Sequence, residues 1–422
     1  MGSINIRKRG NVYQYSFEIA SIDGKRKQKT KSGFKTKAEA QKEGTIAYND
    51  YITTGVAFIE SEISYSDYLD YWIKNYCEPN LRYNTIEKYR ILIKKYIKPF
   101  LGQYRLSSIS SVKLTTYINE LCEKYDFSRA YFRSILKVLK GSFRDAVNIY
   151  GFIRINPALT IRLPKLIKEN EEPKHLYSQN EIEMILDRFK DDDVFTCAFL
   201  TGCYTGMRTG EIFALTWDDI DLENRIINIK HNVYEKQKDE KGRWYIGTTK
   251  TITGIRTIYI CPTLYTVLIN YKKKKELSKS LYGSKYKYYQ LESVRNEYGK
   301  EQEYRIVESK NNSGNCLDLV FTKHDGKYTG KDVIKYPYTV IHKELGIKNC
   351  RFYDLRGSYA TNILRSGAEL KDVADLLGHK NIETTENYYI RATNNGKEHA
   401  NKLIEKNLEP EVIAKYIRFA YN

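Results

Sequence analysis

The apolar residues of this chain change their period twice, and that division limits its fold more than any other feature. Near the start Tyr13, Tyr15, Phe17 and Ile19 alternate with polar positions, the period of a half-buried strand. Asp23-Gly24 is a turn signal, and Lys25-Arg26-Lys27-Gln28-Lys29 follows as the returning strand of a hairpin. Thr36-x-x-Glu39 has the form of a capping box and opens a helix predicted over Lys37–Tyr51. From Ser64 to about Ala158 the period becomes helical. Ile86, Tyr89, Ile93, Tyr96, Ile97 and Phe100 make one stripe, which Pro99 and Gly102 are expected to stop. Ile135, Leu136, Leu139, Phe143, Ala146 and Val147 make a second, and both read as core. A polar, Pro-punctuated linker runs from Asn156-Pro157 through Lys174. Beyond Leu176 helices and short strands mix. Ser178-x-x-Glu181 caps a helix, Phe195–Leu200 leads into TGCYTGMRTGEI, and Arg225–Ile229 and Thr257–Ile260 read as strands. Lys272–Asn315 is polar and weakly patterned, and we read it as an insertion over the core; no internal repeat is expected.

Length and charge narrow the partners. The 422 residues suffice for two or three domains, and no stretch approaches the roughly 20 apolar residues of a membrane helix. The N-terminus has no apolar core of a secretory signal, so a cytoplasmic, nucleoid-associated protein with no membrane partner is expected. Seven Cys residues without a C-x-x-C pair read as reduced thiols, not as a disulfide framework or a zinc site. Seventy Lys plus Arg against 52 Asp plus Glu leave +18, which calls for a polyanionic partner, and nucleic acid is the usual one. Lys25, Arg26, Lys27 and Lys29 suit a β-ribbon docking into DNA; an edge strand protected by solvated lysines fits the same residues. With 38 tyrosines in the chain, none is functional merely by being present.

Most catalytic signatures are missing. Gly326–Asp332 (GKYTGKD) echoes a phosphate loop but is one residue short and has no Ser or Thr after the lysine, so it reads as a turn. Asp191-Asp192-Asp193 and Asp218-Asp219-x-Asp221 read as solvated carboxylates where helices meet loops, and neither a metal nor another cofactor is expected. What remains lies in the C-terminal half: Arg208 in TGMRTGE, Lys250 in TTKTITGIRTI, Arg356 in FYDLRGSYAT, and His379 and Tyr388 in LLGHKNIETTENYY. Two guanidiniums can grip both non-bridging oxygens of a phosphodiester and stabilise charge in its transition state. A lysine can protonate the leaving 5′-oxygen, and a histidine can shuttle a proton. A phenol is a nucleophile that also leaves reversibly. Taken singly, Arg208 could be a helix-cap donor, Lys250 a hairpin cation and His379 a helix C-cap after Gly378.

Taken in order, these segments resemble the tyrosine recombinase (phage integrase) family, three-domain integrases of the phage and conjugative-transposon type. The family's order of Arg, Lys, His-x-x-Arg, His or Trp, and Tyr is met across Leu176–Ala392. The resemblance implies that Arg208, Lys250, Arg356, His379 and Tyr388 are catalytic, with Tyr388 rather than Tyr389 the nucleophile, and that Glu211 supports the site. One position departs: Tyr353 stands where the family usually has His, and a phenol is a poor proton shuttle at neutral pH because its pKa is near 10. A helper role is expected for Tyr353. In the family the lysine sits in a β-hairpin, and the same is expected of Lys250.

The resemblance also sets the architecture. A small α+β arm-binding domain with a three-stranded sheet is expected over 1–58, an all-α core-binding domain over 62–160 and a mostly α, α+β catalytic domain over 174–394, with the insertion around 272–315. The tail 395–422, with an apolar stripe from Val412 to Ala420, is expected to dock on a neighbouring protomer or on its own domain. The implied function is integration and excision of a mobile element through a 3′-phosphotyrosyl intermediate and a Holliday junction. The implied partners are duplex DNA at core and arm sites, three further copies in a homotetramer, and an excisionase or host DNA-bending factor. Three other readings fit parts of the pattern: a type IB topoisomerase-like enzyme, a non-catalytic DNA-binding regulator, and a chromosome-dimer-resolving recombinase.

Overall fold

The computed structural model describes residues 4–22, 25–54, 61–165, 175–239, 242–248, 254–295, 302–309, 316–379, 381–383 and 385–386. It divides into two compact units, residues 1–171 and 172–422. Among the described residues no helix is long and apolar enough to cross a membrane.

In the first unit β1 (Asn5–Arg9), β2 (Val12–Ile22) and β3 (Lys25–Phe34) form an antiparallel sheet in the order β1-β2-β3, backed by α1 (Lys37–Thr54). The alternation of β2 works as the sequence implied: Tyr15 and Phe17 are buried, and Phe17 packs edge-on against Tyr48 of α1. Glu39 N donates to Thr36 Oγ1 at 3.1 Å, so Thr36 caps α1 as expected, while Glu39 Oε2 accepts from Lys35 N at 3.0 Å rather than from Thr36 N as a full capping box would.

The helical region follows with α2 (Tyr65–Trp72), α3 (Glu78–Asn80), α4 (Tyr83–Leu92), α5 (Lys98–Leu101), α6 (Ser111–Lys124) and α7 (Arg129–Asn148). Pro99 does not stop the second of these rods. Between α2 and α3, and again between α4 and α5, the chain widens into one π turn, Ile73–Cys77 and Ile93–Ile97, and then runs on. Glu78 N–H reaches back to Ile73 O, and Lys98 N–H to Ile93 O. Each π turn is followed by a proline, Pro79 or Pro99. A proline inside a helix has no N–H to give and its ring meets a carbonyl of the preceding turn; a π turn opens the helix enough to accept it. The two stretches Ile73-Lys74-Asn75-Tyr76 and Ile93-Lys94-Lys95-Tyr96 are a short local repeat, one the sequence reading did not anticipate. Trp72, Tyr65, Phe132 and Phe143 fill the core, and α7 holds α2 by polar bonds: Trp72 Nε1 to Asp145 Oδ2 at 2.9 Å and Tyr68 OH to Ser142 O at 2.6 Å.

The second unit is built around α9 (Asp193–Thr205), buried on most sides, after α8 (Gln179–Arg188) with its Ser178–Glu181 capping box. Then come the one-turn α10 (Thr209–Ile212), β4 (Ile220–Asp221), β5 (Ile226–Ile229), β6 (His231–Asp239), β7 (Gly242–Thr248) and β8 (Arg256–Tyr259). They are followed by α11 (Pro262–Tyr282), β9 (Tyr288–Arg295), β10 (Gln302–Ser309), α12 (Lys335–Lys343), α13 (Asp354–Arg365) and α14 (Leu370–Leu377). One sheet runs β4-β5-β8 and a second runs β6-β7-β10-β9. The weakly patterned stretch read as an insertion is therefore largely regular structure among its described residues. Residues 272–282 are the last turns of α11, where Lys275 is buried, and β9 and β10 extend the β6-β7 ribbon. The expected hairpin around Lys250 is corrected too: β7 pairs with β6 and β10 while β8 pairs with β5, so the strands flanking 249–253 belong to different sheets. The acidic pairs have structural work: Asp192 caps α9 through Phe195 N, and Asp219 accepts from Thr216 N and Oγ1.

Candidate active site

Three chain segments that lie far apart in sequence meet at the C-terminal end of α14. The first begins where α9 ends. Gly206 terminates that helix in the left-handed conformation, at φ 61°, and a Cβ there would stand 2.4 Å from Tyr359 Cδ1, so the position requires glycine. The tight exit delivers Arg208 to the start of α10, where its N–H donates to Glu211 Oε2 at 2.9 Å and its Nη1 to Glu211 Oε1 at 2.7 Å. The second segment is the first turn of α13, which presents Arg356 against the end of α9. The third is α14, whose apolar face buries Val373, Ala374 and Leu377. It closes in a Schellman turn: Gly378 is left-handed, its N–H bonds to Asp375 O, and His379 N–H bonds to Ala374 O at 2.9 Å.

A helix C-terminus leaves carbonyls without internal partners, and it favours positive charge. Here the last three carbonyls go to three different arginines. Arg256 Nε donates to Leu376 O at 2.7 Å, Arg356 Nη2 to Leu377 O at 2.6 Å, and Arg208 Nη2 to Gly378 O at 3.2 Å. Arg356 also donates from Nη1 to Gly206 O at 2.9 Å, which ties the exit of α9 to the same cluster. His379 is half-buried, and its Nδ1 lies 2.7 Å from Oγ1 of the fully buried Thr385.

Charge in this cluster is unbalanced. Among the described residues, Glu211 is the carboxylate that pairs with these guanidiniums, bridging Arg208 and Arg256. Burial pushes its pKa up, but the hydrogen bond and charge of Arg256, with Arg208 beside it, outweigh that and hold it below the ordinary value. Arg356 is 1% exposed, and its pKa is pushed down to about 10, by burial first and by the neighbouring Arg208 second. Its Nε is buried and, among the described residues, has no hydrogen-bond partner. A buried cationic donor left unmet is costly, and an anion seated between Arg208 and Arg356 would meet it. Tyr353, immediately before α13, is 43% exposed and within electrostatic reach of Arg356.

Of the residues expected at the site, Arg208, Glu211, Arg356 and His379 come together, with Tyr353 beside Arg356. Lys250 and Tyr388 lie outside the described residues, as does the tail. Sequence reading missed Arg256, which sat in plain view as the first residue of the RTIY strand; its role depends on contacts 45 and 120 positions away. In the sheet, Lys27 is exposed and Lys29, paired with Phe17, is half-buried; the side chains of Lys25 and Arg26 lie outside the description. The register instead puts Gln14, Ser16, Gln28 and Thr30 on the face opposite Tyr15 and Phe17, since directly paired residues share a face and successive ones alternate. That polar face also went unread.

A mixed domain of helices and short strands that gathers three arginines around one helix end suits a class of protein: a domain for phosphodiester chemistry. Comparison with known proteins narrows it. The model of the phage integrase family matches residues 176–395, that of the phage integrase N-terminal SAM-like domain matches 64–122, and that of the arm DNA-binding domain matches 5–44. A XerC-like tyrosine recombinase of Caldanaerobacter subterraneus subsp. tengcongensis is 28% identical over 364 residues, 84% of this chain and 85% of its own. The transposase from transposon Tn916 of Enterococcus faecalis is 27% identical over 330 residues, 76% of this chain and 72% of its own. In fold, the integrase of transposon Tn1549, solved with a circular intermediate DNA, superposes with a TM-score of 0.59 at 21% identity, over 78% of this chain and 95% of that one. The chain belongs to the phage integrase family of tyrosine recombinases and is a site-specific recombinase of the phage and conjugative-transposon type.

Proposed function

We propose that this recombinase integrates and excises a mobile element by cutting and rejoining duplex DNA at a site formed by Arg208, Lys250, Tyr353, Arg356, His379 and Tyr388, with Glu211 in support. Arg208 and Arg356 grip the non-bridging oxygens of the scissile phosphate. The Tyr388 phenolate oxygen attacks phosphorus, the bond to the 5′-oxygen breaks, and Lys250 gives that oxygen its proton. The product is a 3′-phosphotyrosyl link and a free 5′-hydroxyl. Attack by the 5′-hydroxyl of the partner duplex then forms the new phosphodiester and releases Tyr388, and a second round resolves the Holliday junction. Because each cleaved bond is stored in the covalent link, exchange needs no external energy source. His379, steadied by Thr385, exchanges protons at the phosphate, and the Tyr353 hydroxyl donates a hydrogen bond to it.

The observation that carries this reading is that the buried Nε of Arg356, beside Arg208, has no hydrogen-bond partner among the described residues. The expected boundaries, 1–58, 62–160 and 174–394, fit an arm-binding, a core-binding and a catalytic part. We extend the polar sheet face Gln14, Ser16, Gln28 and Thr30 to arm-site DNA, with Lys25, Arg26, Lys27 and Lys29 of β3 supplying positive charge: short polar side chains on a sheet read base edges, and lysines hold phosphates. Four protomers act on two cytoplasmic DNA sites, assisted by an excisionase or a DNA-bending factor, with 395–422 docking on the next protomer.

The test is to express the protein in bacteria carrying its native element, trap complexes with SDS, digest the DNA and seek a nucleotide adduct by mass spectrometry. An adduct on the Tyr388 peptide, absent from Tyr388→Phe, is expected. An adduct on Tyr389 would move the nucleophile by one residue. Tight DNA binding with no adduct at either position would sink the proposal.

A further inference from the structure

We propose that Arg256 is a positioning residue for recombination: it keeps Glu211 ionised and aimed at Arg208, and it holds α14, hence His379, in register with the phosphate grip. This rests on the reading of Arg208 as part of that grip.

The geometry separates Arg256 from the other two arginines. All three of its side-chain nitrogens are engaged within the protein: Nε with Leu376 O, Nη1 with Gly254 O at 3.0 Å, and Nη2 with Glu211 Oε2 at 2.9 Å. Its side chain is 7% exposed, so turning towards a phosphate would break a buried bond. Arg356, by contrast, keeps a buried nitrogen unmet. Arg256 also stands on firm ground, since it opens β8 and pairs with Ile229 of β5. From there it joins three separate segments: Glu211 under Arg208, the last turn of α14, and Gly254, four residues after Lys250. The planar fork of a guanidinium can serve three acceptors at once, whereas a lysine offers a point charge.

Glu211 shows what its loss would do. Burial alone pushes that carboxyl towards the neutral form, and Arg256 is the foremost counterweight. Without Arg256 the carboxyl would take up a proton at higher pH, and Arg208 Nη1 would lose its anionic anchor. A glutamine at 256 therefore adds an acid-side loss of activity, while a lysine, still cationic, does not.

The experiment uses the full chain and a synthetic duplex carrying the joined ends of the native element, with SDS-resistant adduct formation followed at saturating protein from about pH 5.5 to 8.5. We expect Arg256→Gln to react roughly 100-fold slower at neutral pH, the scale of a misplaced catalytic group, and to fall further than wild type on acidification. Arg256→Lys should be on the order of tenfold slower with a profile parallel to wild type. An Arg256→Gln protein with the wild-type rate, or one slowed by the same factor at every pH, overturns the inference. Arg208→Gln is the control. If it cleaves normally, the grip and the inference fall together; if it is inactive while Arg256→Gln behaves as wild type, the inference alone falls. Should the glutamine variant fail to fold, Arg256→Lys decides: a wild-type rate overturns the proposal, and a slowed rate at an unchanged melting temperature supports it.

Discussion

Glu211 and Lys275 are buried ionisable groups whose lowered pKa values both make stability rise with pH, each in its own window. Glu211 has a pKa below its ordinary 4.5, so it adds stability above that value and withdraws it as pH falls through the folded-state pKa. Glu211→Gln should lower the melting temperature at neutral pH, because removing one member of a buried ion pair costs about 3–5 kcal/mol. The gap to wild type should then narrow in melts taken below pH 4.5. Lys275 donates to Leu319 O and to Val320 O, and burial pushes its pKa down to about 7 from 10.5. Between those values the unfolded chain binds more protons than the folded one, so this group makes stability rise with pH. Lys275→Met should remove that rise, which melts between about pH 7 and 10, the window set by that depressed pKa, will show. Neither signature could be read in the sequence. Arg208, Glu211, Arg356 and His379 could, because each sits in a short local motif. Arg256 could not, because a lone arginine at the start of a strand says nothing about the helix end it will meet.

At the scale of elements, periodicity foretold some of the helices and strands, while their pairing had to be seen. The strand run of β2 and the stripe of α7 stand where the apolar spacing put them. Pro99 misled because a proline usually ends a helix, and a single π turn was enough to carry the helix past it. The β7 partner of β10 lies some 58 to 60 residues upstream, a separation that local patterning does not register, and β9 joins the sheet only through β10. Two measurements probe this level. Replacing Gln28 and Thr30 together with alanine should weaken binding to arm-site DNA while leaving adduct formation at the core site within twofold, about the spread of an uninvolved surface change. Asp145→Ala should strand the indole N–H of Trp72 between α2 and α7 and cost about 1–3 kcal/mol in a urea melt.

On the scale of the whole molecule, the excess of 18 positive charges sets how the protein finds DNA. Log affinity should fall linearly and steeply with log salt, since each neutralised phosphate releases counterions. Deleting residues 1–58 should flatten that slope and abolish arm-site binding while core-site cleavage persists. The gathering of Leu376, Leu377 and Gly378 around three arginines has a further consequence, for the order in which the protein is made. A ribosome delivers Arg208 first, then Arg256, then Arg356, and the helix end that holds all three emerges last. A chain that ends before α14 has the three cations but not the helix end whose carbonyls hold them.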